Sequence, residues 1–135
     1  MNEPKGTTSQ TGTGTEALIF VVDDEPMLLE LASVILQPLG YRVATFRDPG
    51  LAINAYKAAN PAPALIVTDY AMHNLNGMQL VEACREMNPR QRILLVSGTV
   101  DENVYANSPI RPDRFLAKPY QARQLVEAVR SLVPG

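Results

Sequence analysis

The chain of 135 residues has no tryptophan, one cysteine and one histidine. A single cysteine, Cys84, excludes an intrachain disulfide, and it reads as a small buried apolar residue. One Cys with one His also cannot assemble the ligand set of a zinc site. No apolar run approaches the roughly 20 residues of a membrane-spanning helix. The N-terminus lacks the apolar segment of a secretory signal. Neither sign of charge dominates, since 12 Lys+Arg against 14 Asp+Glu leave a formal net charge of −2. There is no basic excess to attract nucleic acid. These absences set the expectations: no nucleic-acid partner, no membrane partner and a reducing, cytoplasmic setting.

What is present is ordinary globular composition, with 46% hydrophobic and 19% charged residues. The length suits one domain able to bury a core. Residues 1–16, MNEPKGTTSQTGTGTE, are rich in Thr, Gly and Ser and have no apolar residue after Met1. They cannot bury enough surface to offset their ordering entropy, so a disordered tail is expected at 1–16 and a folded domain at 17–135.

From Ala17 the pattern changes. The continuous apolar run Ala17 to Val22 predicts a strand buried on both faces. Pro26 opens a helix in which Leu28, Leu31, Ala32, Ile35 and Leu39 recur at helical spacing, and Gly40 closes it. Tyr41 to Phe46 predicts a second strand, and Asp48-Pro49 a helix cap before Ala52, Ala55, Tyr56 and Ala59. Ala64 to Thr68 is the third strand. Asn76 caps a third helix with Leu80, Val81, Cys84 and Met87 inward. Ile93 to Val96 and Phe115 to Ala117 are the fourth and fifth strands. Between them, Asp101 to Asn107 has length for about two helical turns, and Ser108-Pro-Ile-Arg-Pro112 forbids continuation. The fourth helix is thus expected to be short or irregular. The last helix carries Ala122, Leu125, Val126, Val129, Leu132 and Val133. Strands alternating with helices predict an α/β domain: a doubly wound parallel sheet with helices on both faces.

In such a sheet the loops after the strands share one edge, where ligands bind. The first strand delivers Asp23-Asp24-Glu25 there, the third Asp69, the fourth Ser97-Gly98-Thr99 and the fifth Lys118-Pro119. Crowded carboxylates repel one another unless a cation sits among them. Oxygen-only donors suit a hard ion such as Mg²⁺. A carboxylate beside such an ion can attack phosphorus to form an acyl phosphate. A lysine ammonium and a serine hydroxyl can stabilise the transferring oxygens. Taken singly, each of these residues is more often a cap, a turn or a solvated side chain. The signal is their convergence from four of five strands.

Together, these pieces resemble the receiver domains of two-component response regulators, over roughly Ala17 to Val133. They are Val22-Asp23-Asp24-Glu25, the loop Val67-Thr68-Asp69-Tyr70-Ala71-Met72 with Gly77, Val96-Ser97-Gly98 and Leu116-Ala117-Lys118-Pro119-Tyr120. The resemblance implies a flavodoxin-like five-stranded sheet of order 2-1-3-4-5. It implies that Asp69 is the phosphoacceptor. Mg²⁺, or Mn²⁺, is implied to bind Asp24, Asp69 and the backbone carbonyl of Ala71, with Asp23 orienting a metal-bound water. Lys118 is implied to pair with the phosphoryl oxygens, Ser97 to be the switch hydroxyl, and Phe115 to be the aromatic whose rotamer follows it. The Lys118-Pro119 bond is implied to be cis. The implied partners are a sensor histidine kinase or histidine phosphotransfer protein, a downstream output protein, and a second copy of the chain. The implied function is phosphorelay signalling without turnover of a separate substrate, so the chain is not expected to be an enzyme. With the chain ending at Gly135, the expectation is a receiver without an output domain, either stand-alone or excised from a larger regulator or hybrid kinase.

Three departures from the family pattern stand out. His73 occupies a position usually held by Pro. Pro109 and Pro112 disturb the fourth helix. Ala71 has no side chain to position a hydrolytic water. Two other classes compete. An aspartyl-phosphate hydrolase wants Asp-x-Asp after the first strand, and here that strand gives Asp-Asp-Glu. A degenerate receiver used only for binding loses an acid or the lysine, and all are present. A dinucleotide-binding domain wants glycines after the first strand, where there are none.

Overall fold

The computed structural model describes residues 17–72, 75–98 and 110–133. Five strands, β1 (Leu18–Val22), β2 (Arg42–Phe46), β3 (Leu65–Asp69), β4 (Ile93–Ser97) and β5 (Arg114–Ala117), form one parallel sheet of order β2-β1-β3-β4-β5. Among the described residues four α-helices accompany them: α1 (Pro26–Leu36), α2 (Pro49–Ala58), α3 (Gly77–Met87) and α4 (Ala122–Leu132). This is the doubly wound order that the family resemblance implies. Strand ends differ from the expected ones by a residue. The tail at 1–16, His73, Thr99 and the expected helix at 101–107 lie outside the described residues.

Strand alternation sorts the core into two layers. Ile19 and Val21 of β1, Leu65 and Val67 of β3, Leu94 and Val96 of β4, and Leu116 of β5 face α1 and α4. Phe20, Val22 and Ile66 face Ala52 and Tyr56 of α2 and Leu80 and Cys84 of α3. Ile93 and Leu95 face Met78 and Val81 of α3. Ile19, Leu65, Ile93, Leu94 and Leu95 are wholly inaccessible. Each contributes about 1.5–3 kcal/mol over an exposed position.

Local chemistry starts and stops the helices as expected. Pro26 is the first residue of α1. The Asp48 carboxylate accepts from the Gly50 amide at 2.9 Å at the head of α2. Asn76 and Gln79 form a reciprocal capping box on α3, with bonds of 2.9 and 2.8 Å. After α1 a 3₁₀ turn, Gln37–Leu39, ends at Gly40 with φ 98°, a left-handed conformation that favours glycine. Two apolar helix positions lie outside the core, and one of them, Met87, was expected inward. Leu31 is 44% exposed, because α1 turns Leu29, Ala32 and Leu36 to the sheet instead. A helix with apolar residues nearly all round does not reveal its buried face by period alone. Met87, in the last turn of α3, is likewise exposed.

At the opposite edge from the strand C-termini, polar side chains tie the elements together. The Tyr56 hydroxyl donates to Gln91 Oε1 at 2.7 Å, and Gln91 Nε2 donates to the Pro63 carbonyl at 3.1 Å. Arg85 donates to the Gln91 carbonyl, to the Arg111 carbonyl and to Asp113, whose Oδ2 also accepts from the Ile93 amide at 2.7 Å.

Candidate functional site

Ladder bonds that run past the strand ends fix the backbone of the carboxyl edge. The Asp23 amide donates to the Phe46 carbonyl at 3.0 Å, Tyr70 to Val96 at 2.8 Å, and Lys118 to Ser97 at 2.9 Å. Val22 is level with Thr68 in the β1–β3 register, so Asp23 stands beside Asp69. Strand parity then aims the side chains. Asp69 continues the set Leu65, Val67, and Lys118 follows Leu116 by two, both on the α1/α4 side. Ser97 continues Ile93, Leu95 on the α3 side, where Phe115 packs with Tyr70 against the same cluster.

The outcome is a compact charged group. Lys118 Nζ lies 3.1 Å from Asp69 Oδ1 and 3.2 Å from Asp23 Oδ2. The other Asp23 oxygen, Oδ1, accepts from the Glu25 amide at 2.9 Å. Asp23 and Asp69 are buried, and Asp24 is half-buried. One carboxylate oxygen from each of the three lies within 4.8 Å of the other two. Burial, and next the charge of Asp23, raise the Asp69 carboxyl above its ordinary range, with Lys118 offsetting part of the rise. Burial alone would lower Lys118, but Asp23 and Asp69 outweigh it and hold the ammonium above its usual value. Burial also raises the Tyr120 phenol.

The three carboxylates fit a hard cation. An octahedral magnesium with bonds of about 2.0–2.1 Å spaces its ligand oxygens about 3–4 Å apart, within the spread this cluster spans. The buried acids also supply the excess negative charge that such an ion neutralises. Ala71, two residues past Asp69, is exposed at the rim.

Two further residues shape the site. Gly77 donates its amide to the Tyr70 carbonyl at 2.7 Å, and a Cβ there would meet the Asp69 carbonyl oxygen at 2.5 Å and Leu95 Cδ1 at 2.9 Å. Only glycine lets α3 start this close to β3. The Ser97 hydroxyl is buried and has no hydrogen-bond partner among the described residues. The Lys118-Pro119 bond is cis. The sequence reading singled out Asp23, Asp24, Asp69, Ser97 and Lys118, and the fold delivers all five to this edge. It did not single out Tyr120 for the site. Its position directly after Lys118-Pro119 was the available signal.

Comparison with known proteins agrees with the geometry. A family model described as response regulator receiver domain matches residues 19–130. The probable transcriptional regulatory protein TcrX of Mycobacterium tuberculosis is 29% identical over 122 residues, which cover 89% of this chain and 51% of TcrX. The chain spans about half the length of the first curated relatives it matches. Among solved structures, a response regulator receiver protein from Sinorhizobium medicae superposes with a TM-score of 0.78 at 29% identity, covering 87% of this chain and 94% of its own. The response regulator protein TrrA of Thermotoga maritima, solved in complex with Mg²⁺-BeF, gives a TM-score of 0.75 at 25% identity, covering 86% and 98%.

Proposed function

The chain belongs to the response regulator receiver domain family, and from that premise we propose that Asp69 accepts a phosphoryl group at the carboxyl edge of its sheet. One observation carries this reading: the Lys118 ammonium contacts the buried Asp69 carboxylate, which stands in a cluster of three acids. Asp24, Asp69 and the Ala71 carbonyl would hold Mg²⁺ or Mn²⁺, with Asp23 orienting water around it. The bound cation supplies charge neutralisation for an anionic carboxylate meeting an anionic phosphoryl group.

This chain's own residues do the rest. A carboxylate oxygen of Asp69 attacks phosphorus in line while the donor's bond to phosphorus breaks and its electron pair leaves with the donor. Lys118 then exchanges its contact with the carboxylate for one with a phosphoryl oxygen. Ser97, buried with no partner among the described residues, turns its hydroxyl to another. Phe115 repacks beside Tyr70, and the population moves toward a different outer surface.

Receiver domains of response regulators interact with histidine kinases and output partners. For this chain the donor is a sensor histidine kinase or a histidine phosphotransfer protein, in the cytoplasm, and the new surface serves an output protein or a second copy. The receiver unit takes in residues 17–135, with 1–16 outside it. The reaction consumes one phosphoryl group per Asp69 and turns over no separate substrate.

Incubation with Mg²⁺ and acetyl phosphate, followed by intact-mass measurement, tests the assignment. One phosphoryl adduct on the wild type and none on Asp69→Asn are expected. An undiminished adduct on the variant would sink Asp69 as the acceptor. Withholding Mg²⁺ separates the metal from the nucleophile.

A further inference from the structure

Asp69 and Lys118 meet at the carboxyl edge of the sheet, 3.1 Å apart. A second route joins them through the opposite edge. Gly77 ties the start of α3 to the acceptor loop: its amide donates to the Tyr70 carbonyl at 2.7 Å, and a Cβ there would meet the Asp69 carbonyl oxygen. From Gly77 the helix runs about 12 Å, at 1.5 Å per residue, to Arg85 in its last turn. There the guanidinium uses all three nitrogens. Nε donates to the Gln91 carbonyl at 2.8 Å, Nη1 to the Arg111 carbonyl at 3.1 Å and Nη2 to Asp113 Oδ2 at 2.9 Å. The Arg85 side chain is only 15% exposed, so solvent screens these bonds less than it screens a surface pair. Asp113 passes the hold to β4. Its Oδ2 also accepts from the Ile93 amide at 2.7 Å, while its own amide donates to the Ile93 carbonyl at 2.9 Å. From Asp113, β5 leads back to Lys118. Asp69, α3, Arg85, β5 and Lys118 thus make a closed frame.

The side of that frame with least support of its own is β5. It has four residues, lies at the edge of the sheet and pairs with β4 alone among the described residues. So short a ladder leaves its placement to the bonds at its two ends. We propose that Arg85 is a positioning residue for phosphoryl transfer: by fixing where β5 begins against β4, it sets how far Lys118 reaches over Asp69. The inference rests on Asp69 being the acceptor and on Lys118 serving it. Arg85 touches neither the donor nor the reacting atoms. Its whole effect on the reaction passes through Lys118, about 16 Å along the strand from Asp113.

A double-substitution cycle on the whole chain tests this, with the rate of Asp69 labelling by acetyl phosphate in Mg²⁺ as the readout. Removing the Lys118 ammonium outright bounds the effect at about 10²-fold. A misplacement of a fraction of an ångström should cost roughly tenfold. Arg85→Met should therefore slow labelling roughly tenfold in the wild-type background, and by less than about twofold on top of Lys118→Met. Arg114→Met, which takes a different guanidinium from β5 and its bond to Ser131, should leave the rate unchanged. In the Mg²⁺-free protein the Lys118 amide resonance should move in Arg85→Met. An unchanged rate, an unmoved Lys118 amide or an equal loss in Arg114→Met overturns the proposal. So does an equal loss from Arg85→Met in both backgrounds, for the bridge would then only steady the fold. If Arg85→Met does not fold, Asp113→Asn takes its place in the cycle: its amide oxygen can still accept from Ile93, while the charge facing Arg85 is gone. If acetyl phosphate leaves wild-type Asp69 unlabelled, or Lys118→Met labels as fast as wild type, the reading of the site beneath the proposal fails, and the proposal with it.

Discussion

The ammonium of Lys118 stands 3.1 Å from Oδ1 of Asp69, bridging the last strand to the central one. It is already in place for an anion larger than the carboxylate it holds. In Lys118→Met, acetyl phosphate labelling of Asp69 should fall on the order of 10²-fold, as when a single preorganised donor to a developing anion is lost. Quench-flow or timed intact-mass measurement would show it. An unchanged rate would remove Lys118 from the phosphoryl path.

Ser97 carries a buried hydroxyl with no partner among the described residues. An unsatisfied buried hydroxyl destabilises by about 1–3 kcal/mol. Ser97→Ala should therefore raise stability to urea by about 1 kcal/mol rather than lower it. The same variant should lose the change in the Phe115 ring resonances that beryllofluoride produces in the wild type. A destabilised Ser97→Ala would show that the hydroxyl has a partner in solution.

On the proposed reading, adding Mg²⁺ should stabilise the fold, because the ion would bind where folding gathers Asp23, Asp24 and Asp69. At a hundred times Kd the gain is about 2.7 kcal/mol. Thermal melts with and without Mg²⁺ read it directly. Asp24→Asn should abolish most of the difference, whereas Asp48→Asn, at the cap of α2, should leave it intact.

Gly77→Ala should cost about 1–3 kcal/mol, the usual range for overpacking. The added methyl would meet the Asp69 carbonyl oxygen and Leu95, so α3 must back away from β3. Urea denaturation measures the loss. Gly50→Ala, where the nearest contact would be an ordinary 3.4 Å, is the matched control and should be nearly silent.

Burial pushes the Cys84 thiol up to about 11 from an ordinary 9.0. Between those values the folded chain holds a proton that the unfolded chain has released. Stability contributed at lower pH is thus lost as pH rises from 9.0 through about 11. Wild type should lose stability across that window more steeply than Cys84→Ala. A thiol reagent should modify the wild type only as fast as it unfolds.

The site was legible because its residues hang from strand ends. Asp23, Asp69 and Lys118 each stand at the C-terminal end of a strand, so reading the strands placed the acids and the lysine on one edge. The burial of α1 was not legible, since Leu28, Leu29, Leu31 and Val34 offer several apolar stripes and only packing selects Leu29, Ala32 and Leu36. Nor was the partnership of Tyr56, Gln91, Arg85 and Asp113. Those residues lie far apart in sequence, their types are common on surfaces, and no spacing rule joins a hydroxyl to an amide 35 positions away.

The bonds to Asp113 make β5 an asymmetric beam. Its root is clamped, one carboxylate oxygen gripping both the Ile93 amide and the Arg85 guanidinium. Its tip, at Lys118, is held by one backbone bond to Ser97 and by charges that arrival of a phosphoryl group would redistribute. A cantilever loaded at its tip deflects most there and least at the clamp. Displacement after phosphorylation should grow along β5 from Arg114 to Lys118, so that Phe115, near the root, reorients its ring by rotation while its backbone stays almost still.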